Sequence, residues 1–212
     1  MKVGILGSGL MGAKLGTLLA RAGHEVTFSY ARSKQKLEKL ARDAGGKARH
    51  GTPREAAQGA DVVLLAVHWS RTDDVLKQAG DLSGKVIVTC SLPMNDSNTD
   101  LVVAHTSSGA EELAKKVPAA RVVAAFQTVP SEVFFDVYAA KGKDRRPTLV
   151  YCGDDRGGKD VAAALIRDVG FDPLDAGALR IARYTEPFGL LVGEIAYGGN
   201  TGPEIAYRIG RF

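Results

Sequence analysis

Lys2-Val3-Gly4-Ile5-Leu6-Gly7-Ser8-Gly9-Leu10-Met11-Gly12 is the stretch that decides the fold. Lys2 to Leu6 reads as a buried strand. Leu10 to Ala22 then reads as a helix ended by Gly23. Between them lies Gly-x-Gly-x-x-Gly, a spacing that gains meaning from the strand before it and the helix after it. Gly7 permits the tight turn, Gly9 lets a pyrophosphate approach the backbone, and Gly12 lets the helix pack closely on the strand. The helix N-terminus offers unpaired N–H groups and a partial positive charge to phosphate. Ser8, Leu10 and Met11 complete the loop and belong to the same expected phosphate site.

Working outward, strands and helices alternate. Glu25 to Tyr30 is a second strand, Ser33 to Asp43 a charged helix, and Lys47 to His50 a short third strand. Asp61 to Val67 carries an unbroken apolar run, the pattern of a parallel strand covered on both faces. A helix near Arg71 to Ala79, a strand Lys85 to Thr89, a helix near Ala110 to Lys116 and a strand Arg121 to Phe126 follow. Such alternation implies βαβ units in an α/β, Rossmann-type, doubly wound and mostly parallel sheet. Beyond Pro147 come a strand (Thr148 to Cys152), a helix (Lys159 to Val169), a strand (Phe171 to Leu174) and a helical stretch from Ala178 to Tyr197 that Pro187 should kink or begin. The expected division is a dinucleotide-binding domain over 1–146 and a small C-terminal α/β extension over 147–212. Residues 141–147 are the expected linker.

The end of the second strand selects the cofactor. An NAD site places an acid there to accept from the ribose 2′-hydroxyl. This chain instead has Ser29-Tyr30-Ala31-Arg32-Ser33-Lys34, in which Ser29, Arg32, Ser33 and Lys34 are donors suited to a 2′-phosphate. From Ala31 to Arg54 eight basic residues stand against Glu38 and Asp43, a net of +6 within a chain of net +4. The excess is local and lacks interleaved aromatics, which argues against nucleic acid and for a bound NADP(H).

Other classes are excluded by composition. The two cysteines, Cys90 and Cys152, are far apart and read as buried core thiols of a reducing, cytoplasmic setting. The start of the chain, interrupted by glycines, is no signal peptide, and no apolar run approaches the roughly 20 residues of a membrane span. The four histidines are scattered without ligand spacing, so no metal site is expected. Hydride transfer between flat rings needs positioning and exclusion of water more than acid–base groups, and no catalytic residue stands out with certainty. The strand ends that should frame the rings bring Val67, His68 and Trp69, then Ser91 and Pro93, then Gln127, Thr128 and Val129. Val67, His68, Ser91 and Pro93 are expected on the cofactor side. His68, Trp69, Gln127, Thr128 and Val129 are expected to position the rings.

Several segments resemble the NADPH:F420 oxidoreductase family. Cys152-Gly153-Asp154-Asp155 is similar to its CGDD, Asp175-Ala176-Gly177-Ala178-Leu179 to its DAGPL, and Arg183 and Glu186 to its Arg-x-x-Glu. Ala125-Phe126-Gln127-Thr128-Val129 resembles the strand end that lines its cofactor crevice, and Val67-His68-Trp69 stands where members often carry Pro-Trp. The chain departs from the family at Gln127 (usually His or Asn), at His68 (usually Pro) and at Cys90-Ser91-Leu92-Pro93, which lacks Thr-Asn-Pro. The resemblance implies a homodimer passing hydride between NADPH and the deazaflavin of coenzyme F420, or a flavin in the wider group, which includes flavin- and metal-reducing relatives. Two alternatives stand beside it. One is a reductase of a small carbonyl or imine, though strands after Pro147 fit poorly with the long helical domain of such enzymes. The other is a non-catalytic NADPH sensor. Taken alone, Arg183 and Glu186 have the spacing of a helix-surface ion pair, and Asp154 and Asp155 that of a turn and helix cap.

Overall fold

The computed structural model describes residues 1–142, 146–200 and 202–210. Residues 143–145 of the expected linker lie outside them. The chain folds through β1 (Lys2–Leu6), α1 (Leu10–Arg21), β2 (Glu25–Ser29), α2 (Lys34–Ala44), β3 (Arg49–His50), α3 (Pro53–Gln58), β4 (Val62–Leu65), α4 (Thr72–Ala79) and β5 (Val86–Thr89). It continues with α5 (Gly109–Lys116), β6 (Arg121–Ala124), α6 (Phe134–Ala139), β7 (Thr148–Gly153), α7 (Arg156–Asp168), β8 (Asp172–Asp175) and α8 (Ala182–Gly198).

The sheet order is β3-β2-β1-β4-β5-β6-β7-β8. Its first six strands are parallel and follow the order of a doubly wound dinucleotide fold, so α/β is the fold class. Apolar residues alternate faithfully between the two faces. Val3, Ile5, Val62, Leu64, Val86 and Val88 enter one core. Leu6, Val63, Leu65 and Ile87 enter the other. Burial on both sides explains why these strands read as unbroken apolar runs.

The C-terminal elements extend the same sheet. β7 joins β6 antiparallel, pairing Ala124 with Cys152, and β8 continues parallel to β7. Leu149, Tyr151 and Phe171 share a core with Val3 and Phe28. Both cysteines are free and buried. Burial pushes the Cys90 thiol far up, and pushes the Cys152 thiol up to about 12.

Three features differ from the sequence reading. The last helix does not begin at Pro187: α8 starts at Ala182 and runs through it. The proline removes one backbone bond, and side-chain contacts to α5, described below, offset that loss. Helix α3 was not expected, although Thr52-Pro53-Arg54-Glu55 caps it fully, with proline in the first turn and a reciprocal Thr52–Glu55 capping box. Helix α6 was also not expected, and it buries Phe134 edge-on between Phe126 and Phe171. Among the described residues, no helix is long and apolar enough to cross a membrane.

Candidate active site

The loop between β1 and α1 forms a cradle made of backbone. Gly7 sits at φ +112°, and a Cβ there would lie 2.4 Å from the Ala66 carbonyl oxygen. A Cβ on Gly12 would lie 1.9 Å from the Gly7 carbonyl oxygen, while one on Gly9 would meet nothing within 4 Å. Gly7 and Gly12 therefore build the turn, and Gly9 keeps its approach open. The loop is stapled to the end of β2: the Gly7 and Ser8 amides donate to the Ser29 and Tyr30 carbonyls at 3.3 and 3.1 Å, and the buried Ser8 hydroxyl donates to Ser29. Helix α1 has no acidic residue in its first turn and no side-chain cap. Its first N–H groups, from Leu10 to Gly12, have no intrahelical partner and face the open side.

At the end of β2 the donors divide. Ser29 is buried and its hydroxyl donates to the Ile5 carbonyl at 2.7 Å, so it holds the strands together. Tyr30 turns the chain at φ +56°. Its hydroxyl donates to Asp74 at 2.5 Å, and burial together with that carboxylate pushes its pKa up to about 12. Arg32, Ser33 and Lys34 are exposed. Ser33 caps α2, which has no acid in its first turn, so all three surround a second helix N-terminus. Tyr30, Ser33, Lys34, His50, Thr52 and Gln78 line a second hollow there.

From the cradle a cleft of about 600 Å³ runs across the carboxyl ends of β4, β5 and β6, with α8 as its outer wall. That volume falls within the range of small-molecule sites. Val67, His68, Ser91, Gln127 and Val129 face it, as do Gly189, Val192 and Gly193 of α8. Three expected residues do not line it. Trp69 is half-buried in the short turn after His68. Pro93 packs against Gly109, where a Cβ would meet its ring at 3.1 Å. Thr128 is buried, and its hydroxyl pairs with the Tyr207 hydroxyl at 2.7 Å.

The polar groups of the cleft are mostly committed. The Ser70 amide donates to His68 Nδ1 at 3.3 Å. The other ring nitrogen, Nε2, then donates to the Asn95 carbonyl and Asn98 Oδ1 at 3.3 and 3.1 Å. His68 thus ties the loop after β5 to the end of β4. The Ser91 hydroxyl donates to the Val67 carbonyl at 2.7 Å. Gln127 is different: it is buried, it belongs to the cleft wall, and among the described residues neither of its amide atoms has a partner.

Helix α8 is positioned by Arg183 and Glu186, which the sequence spacing assigned to each other. Arg183 and Glu186 do not pair. Arg183 forms a bidentate pair with Glu111 at 2.7 and 2.8 Å, which holds the Glu111 carboxyl below the usual carboxylate range. Glu186 is fully buried and accepts from the Gly109 and Ala110 amides at 2.8 and 2.9 Å, capping α5 from a distance. Burial pushes its carboxyl up to about 7. The one local hint was an acid directly before Pro187. Asp155 caps α7, as expected, and Asp154 accepts from the Leu179 amide. Further along α8, the Tyr197 hydroxyl donates to Glu132, which also pairs with Lys14 of α1 at 3.8 Å.

A glycine cradle, basic residues at the end of β2 and an apolar cleft over the strand ends are the features of a Rossmann-type dinucleotide fold. The family resemblance stands: residues 2–93 match the family described as NADP oxidoreductase, coenzyme F420-dependent. The chain is 31% identical over 188 residues to the metalloreductase STEAP3 of Rattus norvegicus, covering 87% of this chain and 36% of that protein. It is 39% identical over 77 residues to an uncharacterized oxidoreductase of Shewanella frigidimarina, covering 36% of this chain and 25% of that one. The chain thus spans about a third and a quarter of the length of these two relatives. A solved structure of a candidate F420-dependent NADP-reductase from Arthrobacter sp. FB24 superposes over the whole of both chains with a TM-score of 0.86 at 23% identity. A reductive aminase from Aspergillus terreus shares the fold over 93% of this chain and 61% of its own, with a TM-score of 0.67 at 18% identity.

Proposed function

We propose that this protein passes hydride between NADPH and a flat tricyclic acceptor, the deazaflavin of coenzyme F420 or a flavin, in the cleft between the strand ends and α8. The observation that carries this reading is the continuity of the open glycine cradle with a mostly apolar slot over the strand ends, in which His68 and Ser91 are engaged in holding the walls. The residues fit the dinucleotide: Gly7 to Gly12 would hold the pyrophosphate, and Arg32, Ser33 and Lys34 the 2′-phosphate. When bound, the nicotinamide supplies the hydride. The protein orients the rings with Val67, Gln127 and Val129, and excludes water with Met11, Leu92 and α8, so that no acid–base group is required. His68, Ser91, Trp69, Pro93 and Thr128 support this surface from behind or beside it. The C-terminal part, 147–212, completes the crevice by supplying α8. Exposed Tyr184, Leu191 and Ile195 on α8 favour a homodimer, and two buried free thiols fit a cytoplasmic setting.

Mixing the protein with NADPH and either F420 or flavin mononucleotide, and following nicotinamide absorbance, tests this reading. NADPH oxidation with one acceptor is expected. Arg32→Ala should weaken NADPH binding by about 1.5–3 kcal/mol and leave NADH nearly unchanged, the range for a hydrogen bond to a charged group. Tight NADPH binding without turnover would make the protein a binding module. A second reading, favoured by similarity to a metalloreductase over 87% of the chain, sends the electrons of the reduced acceptor onward to a metal ion as substrate. Adding a ferric chelate to the same assay decides it.

A further inference from the structure

We infer that Tyr207, in the segment after α8, is a positioning residue for hydride transfer: through Thr128 it sets the stretch of cleft wall that bears Gln127 and Val129. This rests on the reading that the two rings meet in the cleft. Neither Thr128 nor Tyr207 lines the cleft, so the pair touches no ring and its effect is geometric.

The wall at this point is a turn and not a strand. The Ala125 amide donates to the Thr89 carbonyl of β5 at 3.0 Å, and beyond it the chain leaves the sheet. Gln127 and Val129 belong to the cleft wall, with Thr128 fully buried between them. The turn begins at a strained residue: Phe126 adopts φ +70°, which a bulky side chain takes only where its surroundings impose it. Its buried ring, edge-on to Phe134 at 6.2 Å, holds that end. The middle of the turn is held by the Thr128 hydroxyl, which is buried at 0% exposure and pairs with Tyr207.

Tyr207 itself is fixed by three elements. Its hydroxyl lies 2.7 Å from that of Thr128 and accepts from the Val150 amide of β7 at 3.4 Å. Burial raises its phenol above the ordinary range, so the O–H is kept at neutral pH. Its ring meets Phe188 of α8 edge-on at 5.0 Å. Its carbonyl accepts from the Thr148 amide at 2.9 Å, and further along the Ile209 amide donates to the Thr148 hydroxyl at 3.0 Å. Gly189, beside Phe188, comes so near the turn that a Cβ there would stand 2.5 Å from the Gln127 carbonyl oxygen. The two walls of the ring end, α8 and the turn after β6, are thus coupled twice: directly at Gly189, and through Tyr207. Without the Tyr207 hydroxyl, that of Thr128 is left buried and unpaired, and the strained turn is free to relax.

The test uses three variants. Tyr207→Phe keeps the ring against Phe188 and deletes only the hydroxyl. Thr128→Val deletes its partner. Thr148→Val is the control, because it loosens the same segment at Ile209 and leaves the Thr128 contact in place. NADPH affinity, melting temperature and the rate of NADPH oxidation with F420 or flavin mononucleotide are measured for each. All three should lower the melting temperature. Tyr207→Phe and Thr128→Val should each slow hydride transfer about tenfold with NADPH affinity unchanged, a smaller loss than the roughly hundredfold that a displacement of about 1 Å at the reacting atoms costs. The double variant should be no slower than either single one, since both delete the same contact. Thr148→Val should turn over at the wild-type rate. A wild-type rate in Tyr207→Phe, additive losses in the double variant, or equal slowing by Thr148→Val overturns the inference. So does NADPH affinity that falls in step with turnover. A wild type that oxidises NADPH with neither acceptor overturns the reading of the cleft itself, and the inference with it.

Discussion

The two ends of the cleft are made of different material. The phosphate end is backbone: three glycines, the first amides of α1 and a turn stapled to β2, all within a dozen residues of sequence. The ring end is assembled from the ends of β4, β5 and β6 and from α8, so that Val67, Gln127 and Gly193 meet although far apart in the chain. A contiguous backbone site tolerates almost any neighbouring side chain but not the loss of a particular glycine. An assembled side-chain site can vary its residues freely, provided the wall that closes it stays in place.

The sharpest break in this contrast lies within the glycine loop. Gly12→Ala puts a methyl against the Gly7 carbonyl oxygen at 1.9 Å, so the turn itself must move. Both the melting temperature and dinucleotide binding should fall. Gly9→Val adds its side chain to open space, so the melting temperature should hold while NADPH and NADH affinity both fall at least about a hundredfold, or roughly 2.8 kcal/mol. Normal titrations with folded Gly9→Val would mean that the phosphates bind elsewhere.

The ring end should respond to pH where the phosphate end does not. Glu186 roots α8 on the first amides of α5, and burial holds its carboxyl near pH 7 against an ordinary 4.5. The groups facing it are Glu111 on α5, itself paired with Arg183, and the Cys152 thiol of β7. The folded protein keeps this proton where the unfolded chain has already released it. Its stabilising contribution is therefore complete below about pH 4.5, falls as pH rises towards 7 and is gone above that, a change of about 3 kcal/mol. Melting curves of the wild type and Glu186→Gln should draw together by about that amount between pH 5 and pH 8. Parallel curves would show that Glu186 does not titrate in this range.

How much of this was legible follows the same division. The glycine loop, the unbroken apolar run of β4 and the missing acid after β2 are local signals, and each was readable from neighbouring residues. Ser29 was misjudged because a hydroxyl at a strand end looks the same whether it turns to a ligand or, as here, to the Ile5 carbonyl. Arg183 and Glu186 stand three apart and read as a pair, yet each reaches α5 more than seventy residues earlier. Pro187 looked like a boundary because local propensity carries no information about those anchors. Gln127 could be picked out from its position at a strand end. That its amide is buried and unpartnered depends on Phe126, Phe134 and Gly189, which no local pattern brings together.

The smallest effect expected, and the one that tests the ring end alone, is steric. Val129 closes the cleft from the β6 side and is 4% exposed, with its side chain also in the core. Val129→Trp should crowd the acceptor but leave the phosphate anchors at Gly9 and Arg32 untouched. NADPH affinity should stay near normal, with hydride transfer slowed about tenfold, equivalent to about 1.4 kcal/mol in the barrier. Because a tryptophan there also presses on the core, Gly193→Phe offers the same obstruction from the opposite wall. Gly193 lines the cleft on α8, and a Cβ there meets nothing within 4 Å, so the ring can enter free space without displacing packed atoms. Both substitutions should slow turnover without weakening NADPH, and Gly193→Phe should do so with an unchanged melting temperature. If Gly193→Phe turns over normally with both F420 and flavin, the acceptor does not lie under α8. If it weakens NADPH in step with turnover, that wall serves the dinucleotide and the two ends of the cleft are one site.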